Sequence, residues 1–420
     1  MSSAPAASAS PALPLKLICV LALLSATPPV STDLYLASFP EMASGLDTDA
    51  HHIQLTLTAF LLGLGLGQLF WGPISDRFGR WWPMVIGTAV ATVAAFVSAT
   101  APTIELLIGA RFVQALAASA GLVIGRAVIA DLSRGFKAAQ AIGLMMTINA
   151  LAPIAAPVLG GLLAGYVPWR GVLGVILGVM VVQTLCLLLV VRESLPRDRR
   201  APALSFRPLA RIAAQPTYRG YALTMGFSFG TLMSYIASSS FVYQEVLDVP
   251  GWAFGLGFGA NSVALLITGA LSTRRAHRHI HPAHTVSLAL PWLLAGSVGV
   301  AACALSPWPV LMLGPLMVTV ATVGFIAGNS VTLAMAQARQ HSGAGSALVG
   351  ATQFLVGGLF SAFTGVAGEH TAVPMGVCMV ISAALCWASF TWARRTVDPA
   401  TETDFGRPAD SVARDDSANR

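Results

Sequence analysis

Charge is what this chain has least of. Only 10% of its 420 residues are Asp, Glu, Lys or Arg, and 55% are hydrophobic; a soluble domain carries about 25% charged residues. A surface made from so few charges would expose apolar area over most of its extent and aggregate in water, so lipid is the solvent that fits. Cysteine is also scarce. The five thiols (Cys19, Cys186, Cys303, Cys378, Cys386) all lie inside apolar runs and none has C-x-x-C spacing, so they read as free buried thiols without a disulfide framework. No G-x-G-x-x-G, G-x-x-x-x-G-K-[ST], H-E-x-x-H or G-x-S-x-G element sits in a context that supports ATP hydrolysis, metalloprotease or esterase chemistry. No enzymatic activity and no cofactor is expected.

What is present is a succession of apolar runs. A bilayer core about 30 Å thick needs about 20 apolar residues per helix. Twelve runs of that kind occur, at 14–40, 51–73, 83–101, 104–130, 139–164, 169–191, 217–243, 252–273, 284–305, 308–335, 343–367 and 372–393. Residues 1–13, rich in Ser, Ala and Pro, read as a disordered tail. Lys16 with LICVLALL resembles a secretory signal, but the polar-apolar stretch TPPVSTDLYLASFP and further apolar segments follow, so an uncleaved first helix is expected.

Basic residues set the expected orientation. Of 24 Lys and Arg, Arg111 and Arg126 fall within the fourth run and Arg170 precedes the sixth; the other 21 lie at the N-terminus, in the even-to-odd connections or in the C-terminal tail. The positive-inside rule therefore places both termini and the connection 192–216 in the cytoplasm. The net charge of +6 is a consequence of topology, and no nucleic-acid partner is expected. Residues 192–216 divide the chain into an N-terminal six-helix half (14–191) and a C-terminal six-helix half (217–393), with 394–420 as a cytoplasmic tail. A weak internal repeat falls at equivalent places: Gly72-Pro73-Ile74-Ser75-Asp76-Arg77 after the second run, and Gly269-Ala270-Leu271-Ser272-Thr273-Arg274 at the end of the eighth. The second copy loses the acid. The expected fold is all-α, twelve transmembrane helices in two pseudo-symmetric bundles, with a solute site near the midplane.

Several residues stand out against this background. An ionised group at membrane depth costs roughly 2.5–3.5 kcal/mol on insertion scales, so it should face a cavity or a partner. Asp33 follows Pro28, Pro29, Ser31 and Thr32, an irregular polar stretch suited to a water-filled cavity, and reads as a coupling or substrate residue or as a hydrated outer-end residue. Arg111 reads as a site residue or as a structural partner of Asp33 or of a helix end; Arg126, nearer the cytoplasmic end, reads as structural. Asp76 is an acid at a basic membrane face and should have a cation or a helix N-terminus as partner. Gly72 and Gly79 suit a tight turn and close helix approach. Pro153, Pro157, Gly160 and Gly161 in the fifth run suit a kinked, closely packed helix. The run FSFGTLMSYIASSSFVYQE (227–245), which includes Tyr235, could line a pocket for aromatic solutes or simply ease helix packing. His277, His279, His281 and His284 suggest a metal site, but they sit in a short loop with Arg274, Arg275 and Arg278, which oppose a bound cation; no metal is expected.

At GPISDRFGRWW (72–82) the sequence resembles the loop signature of the major facilitator superfamily. With STDLYLASFPEMASGL (31–46), IQLTLTAFLLGLGLGQLFWGP (53–73), RAVIADL (126–132), APIAAPVLGG (152–161) and AGSALVGATQF (344–354), it resembles the bicyclomycin-resistance (Bcr/CflA) branch of the drug:proton antiporters. The resemblance implies that Gly72, Asp76, Arg77, Gly79, Arg80 and Asp131 form a conformational switch in which Arg80 pairs with Asp131. It also implies that Pro153, Pro157, Gly160 and Gly161 form the rigid bent helix of antiporters. Asp33, Arg111, Tyr35, Gln114 and Tyr235 are then the candidate coupling and substrate residues. Two positions depart from the pattern: Trp81 stands where a basic residue commonly follows Arg80, and Ala115 where Gly is usual.

The expected function is proton-driven efflux of small amphipathic compounds, drugs included, by alternating access in the bacterial cytoplasmic membrane. The partners expected are such a substrate, protons and the bilayer, with the chain as a monomer. A proton-coupled metabolite exporter or importer on the same fold, or a non-transporting membrane sensor, stays open at this point.

Overall fold

The computed structural model of the chain describes residues 13–133, 135–368 and 370–397, and the regular structure there is helical. The helices are α1 Leu15–Ser25, α2 Thr27–Asp33, α3 Phe39–Gly45, α4 Ala50–Phe78, α5 Trp81–Thr100, α6 Ile104–Leu132, α7 Gly135–Leu163, α8 Trp169–Val190, α9 Arg207–Ala213, α10 Pro216–Phe241, α11 Gly251–His277, α12 Pro282–Ala304, α13 Leu313–Gln337, α14 Ser342–Phe363 and α15 Val373–Thr396. Ten of them, α4 to α8 and α11 to α15, are long and apolar enough to cross a membrane. An eleventh span is broken: α1 and the segment from Thr27 to Gly45 meet at 41°. The run 14–40 is expected to form one helix. Pro28 and Pro29 prevent that, because proline has no N–H to donate to the carbonyl one turn back. Hydroxyls take up carbonyls around the break: Thr27 Oγ1 donates to Leu24 O (2.8 Å) and Ser25 Oγ to Leu21 O (2.9 Å).

The remaining run is α10, 26 residues and about 39 Å long. It falls short as an apolar span because it is rich in Ser and Thr. Thr224, Ser228, Thr231, Ser234, Ser238, Ser239 and Ser240 are all buried, and hydroxyls such as Thr224 Oγ1 and Ser234 Oγ donate to their own helix at Gly220 O and Gly230 O, each 2.8 Å. A helix this polar is accommodated by protein on its sides rather than by lipid. The ten apolar helices, the bent pair and α10 fall on the twelve runs, so the count is approximately the one expected.

Two compact units are present. One holds the described residues of Met1–Phe206 and Ser239–Ala260, the other those of Arg207–Ser238 and Asn261–Arg420. In the first, α4 lies close along α6, with Trp71 Nε1 donating to Leu116 O (2.7 Å), and Leu21, Leu24, Ile124, Val128, Met145 and Leu187 form a buried cluster. Ser239–Ala260 joins this unit through small and polar contacts. Gly161 of α7 lies against Gly255 of α11, where an added Cβ would come within 3.1 Å of the Gly255 Cα. Gln244 Nε2 donates to Ala37 O (3.1 Å), and the Phe39 and Phe241 rings are 6.0 Å apart. In the second unit Ser382 Oγ of α15 donates to Phe227 O of α10 (2.7 Å), and Asn329 Nδ2 of α13 to Ser272 Oγ of α11 (2.7 Å).

Candidate functional site: a buried Asp–Arg cluster and a charged turn

The break in the first span brings polar groups to the interior of the first unit. Asp33 ends α2 and is 5% exposed. Its carboxylate accepts a hydrogen bond from Thr32 Oγ1 (2.8 Å), and among the described residues no cation lies within 4.0 Å of it. Arg111, on α6, is completely buried. The alternative that it pairs with a helix end is the one realised: its guanidinium donates to the carbonyl of Ser31, in the last turn of α2, and to Gln114 Oε1 (3.0 Å). The carbonyl end of a helix carries partial negative charge, which suits a cation.

The planar guanidinium also lies between two rings, 4.4 Å from the centre of Tyr35 and 4.3 Å from that of Phe60. A desolvated cation–ring contact is worth about 2 kcal/mol. Two such contacts and two hydrogen bonds hold a buried charge that has no carboxylate partner among the described residues. Tyr35 is itself fixed, its hydroxyl 3.0 Å from Thr56 Oγ1 and its ring edge-on to Phe39. Gln114 Nε2 reaches Met180 Sδ on α8 (3.3 Å). Tyr35, Arg111 and Gln114 thus form one contact cluster, and Asp33 lies two residues beyond the Ser31 carbonyl that Arg111 holds. Tyr235 belongs to the second unit, where its hydroxyl accepts from Asn261 Nδ2 (2.9 Å). Phe60 and Thr56 escaped sequence reasoning, since an aromatic or a threonine inside an apolar helix carries no distinguishing signal.

α7 closes against this region. It contains Pro153 and Pro157. A side chain at Gly160 would collide with the Leu34 carbonyl, one residue past Asp33, so only glycine allows that approach.

The second constellation lies at the Arg-rich end. The signature at 72–82 is expected to be a loop, but α4 continues through Pro73 to Phe78, so Gly72, Asp76 and Arg77 are helical and only Gly79 and Arg80 make the turn. An added Cβ at Gly72 would meet nothing within 4 Å, so the close approach expected there is absent. Gly79 does require glycine: its φ is +93°, and a Cβ would run into the Glu193 carboxylate and the Arg200 guanidinium. Arg80 Nε donates to Asp131 Oδ2 (2.9 Å), and its NH1 donates to Asp76 Oδ1 (2.6 Å) and Ser75 Oγ (2.8 Å). Burial works against the charged guanidinium, but the two carboxylates outweigh it and hold its pKa above the ordinary arginine value. Arg77 instead turns outward over the Phe78 ring, 5.4 Å from its centre.

Glu193, just beyond α8, completes the turn. Its carboxylate accepts from the backbone N–H groups of Arg80 (2.8 Å), Leu195 (2.9 Å) and Trp81 (3.4 Å) and pairs with Arg200 (3.3 Å). Partial burial raises its pKa, yet the N–H donors and Arg200 prevail and hold it below the ordinary glutamate range. Ser194 Oγ donates to Asp131 Oδ2 (3.1 Å) and the Ala201 N–H to the Asp76 carbonyl (2.9 Å). Sequence reasoning missed Glu193; its only signal was being an acid within an arginine run.

The histidine run is also less of a loop than expected. α11 extends to His277, His279 adopts a left-handed φ of +58°, and His281 caps α12 by accepting from the Ala283 N–H (3.2 Å). The arginines of α11's last turn complement its carbonyl end.

The Major Facilitator Superfamily profile matches residues 21–362. An uncharacterized MFS-type transporter of Bacillus subtilis, YdgK, is 33% identical over 377 residues, covering 88% of this chain and 93% of that protein. A bicyclomycin resistance protein homolog of Haemophilus influenzae is 29% identical over 380 residues, covering 87% and 94%. Among solved structures, a D-xylose–proton symporter superposes with a TM-score of 0.69 at 13% identity, over 89% of this chain and 97% of that one. With its helical spans and these matches, the chain is a multi-pass membrane transporter, not an enzyme, and it belongs to the Major Facilitator Superfamily.

Proposed function

We propose that this transporter exports small amphipathic compounds, drugs among them, in exchange for protons, as a member of the Bcr/CflA branch. In this reading it lies in the bacterial cytoplasmic membrane with both termini and the 192–216 connection in the cytoplasm. The observation that carries the reading is Asp33: a buried carboxyl with a hydroxyl for a partner and no fixed cation within 4.0 Å among the described residues. Such a group takes up and gives back a proton without breaking an ion pair. Arg111 nearby is held by rings and carbonyl oxygens, so its charge persists through the cycle while that of Asp33 alternates. Protonation of Asp33 from outside and loss of the proton inside would drive the solute outward. Each charge moved inward contributes about 2.3 kcal/mol per 100 mV. The drug-resistance name of the Haemophilus influenzae relative supports the solute class.

The test is flux in inside-out membrane vesicles, with compounds first selected by a susceptibility panel in an efflux-deficient host. Accumulation that needs an inward-acid pH gradient supports drug:proton exchange. Accumulation in right-side-out vesicles instead would make the chain an importer. No gradient-dependent flux of any panel compound, with protein present in the membrane, would leave drug export without support.

A further inference from the structure

Where α8 ends beside the α4–α5 turn, the first unit has an open cavity of about 640 Å³, lined by Trp81, Trp82, Leu188, Arg192, Arg197 and Arg200 among others. It shares no residue with the Asp33–Arg111 cluster. Glu193 also lines it, but that carboxylate is taken up by three backbone N–H groups and by Arg200. Arg192 and Arg197 are exposed and make no ion pair among the described residues. The cavity therefore holds three guanidinium groups against one occupied carboxylate, which suits an anion able to take bidentate hydrogen bonds.

The surroundings narrow the anion. Trp82, Ile86, Val90, Val93 and Phe96 form an exposed stripe along α5. Val182, Leu185, Leu188 and Leu189, the last 84% exposed, form another along the neighbouring α8. Trp82, the first residue of the α5 stripe, and Leu188, near the end of the α8 stripe, both line the cavity. A small soluble anion would use the arginines and leave both stripes idle. A molecule with an anionic head and long apolar tails uses all three, and tryptophans at the rim suit the headgroup level of a bilayer. We infer that this cavity seats the phosphate headgroup of an anionic membrane phospholipid, with its acyl chains along the outer faces of α5 and α8.

The detergent-solubilised full chain is titrated with phosphatidylglycerol or phosphatidylcholine and bound lipid is counted by native mass spectrometry. Phosphatidylglycerol should bind in preference. Arg192→Gln/Arg197→Gln should weaken that binding roughly thirtyfold, since a basic residue near an anionic lipid surface is worth about 1 kcal/mol. Arg274→Gln/Arg278→Gln, with the same charge change elsewhere, should leave it unaltered. Tail-less glycerol 1-phosphate should not compete. Brominated phosphatidylglycerol should quench less fluorescence in Trp82→Phe than in the wild type. Equal binding of the two lipids, equal loss in the control variant, competition by glycerol 1-phosphate, or quenching indifferent to Trp82 would each overturn the assignment.

Discussion

The guanidinium of Arg111 is stacked 4.4 Å from the centre of the Tyr35 ring, and its NH2 group reaches the Ser31 carbonyl two residues before Asp33. Cation and carboxyl are thus tied to the same stretch of broken helix without being tied to each other. A movement of α2 relative to α6 would alter the surroundings of both.

Arg111→Lys keeps the charge and loses the plane. Lysine cannot lie flat between Tyr35 and Phe60 while bonding both Gln114 and Ser31. We expect a stability loss of about 2 kcal/mol, the size of one desolvated cation–ring contact, seen as a lower melting midpoint in detergent, and transport reduced about tenfold or more (one factor of ten is about 1.4 kcal/mol). An unchanged melt with wild-type flux would mean that the stacking is incidental.

Asp33→Asn should insert normally and fail to accumulate substrate under a pH gradient. Substrate binding should persist, because Asn keeps the size and hydrogen-bonding capacity of the side chain. Wild-type gradient-dependent uptake by this variant would remove Asp33 from the coupling role.

At the charged turn, Asp76→Asn should lower transport at near-normal abundance in the membrane, because it takes one of the two carboxylates from Arg80. Full transport would leave Asp76 as a surface charge only.

Glu193 gives a pH prediction with a definite sign. Its folded pKa is lowered, so its stabilisation is present above the ordinary glutamate value and is lost as pH falls through the lowered one. The side chain is 32% exposed, so the contribution is modest, about 1 kcal/mol. Glu193→Gln should lower the melting midpoint at neutral pH, and the difference from wild type should shrink on acidification. A difference that persists to the acid limit would contradict the assignment.

Topology is open to a direct check. Reporter fusions at Arg200 and Ala400 should both report cytoplasm. A periplasmic signal from either would overturn the proposed orientation.

Sequence alone determined the solvent, the all-helical class and, approximately, the number of spans. Those depend on composition and run length, and a bilayer imposes both: its thickness sets how many apolar residues cross it, and its dielectric makes every Asp33 or Arg111 conspicuous. What answers those charges was decided by tertiary structure. The partners of Arg111 are a carbonyl oxygen and two rings brought from other helices, and neither a backbone oxygen nor an apolar-looking Phe60 announces itself in a sequence. Glu193 closes on Arg80 across 113 positions, and α10 tolerates its serines because protein surrounds them. Burial inside a bundle depends on which helices become neighbours, and residue order along one chain does not encode that locally.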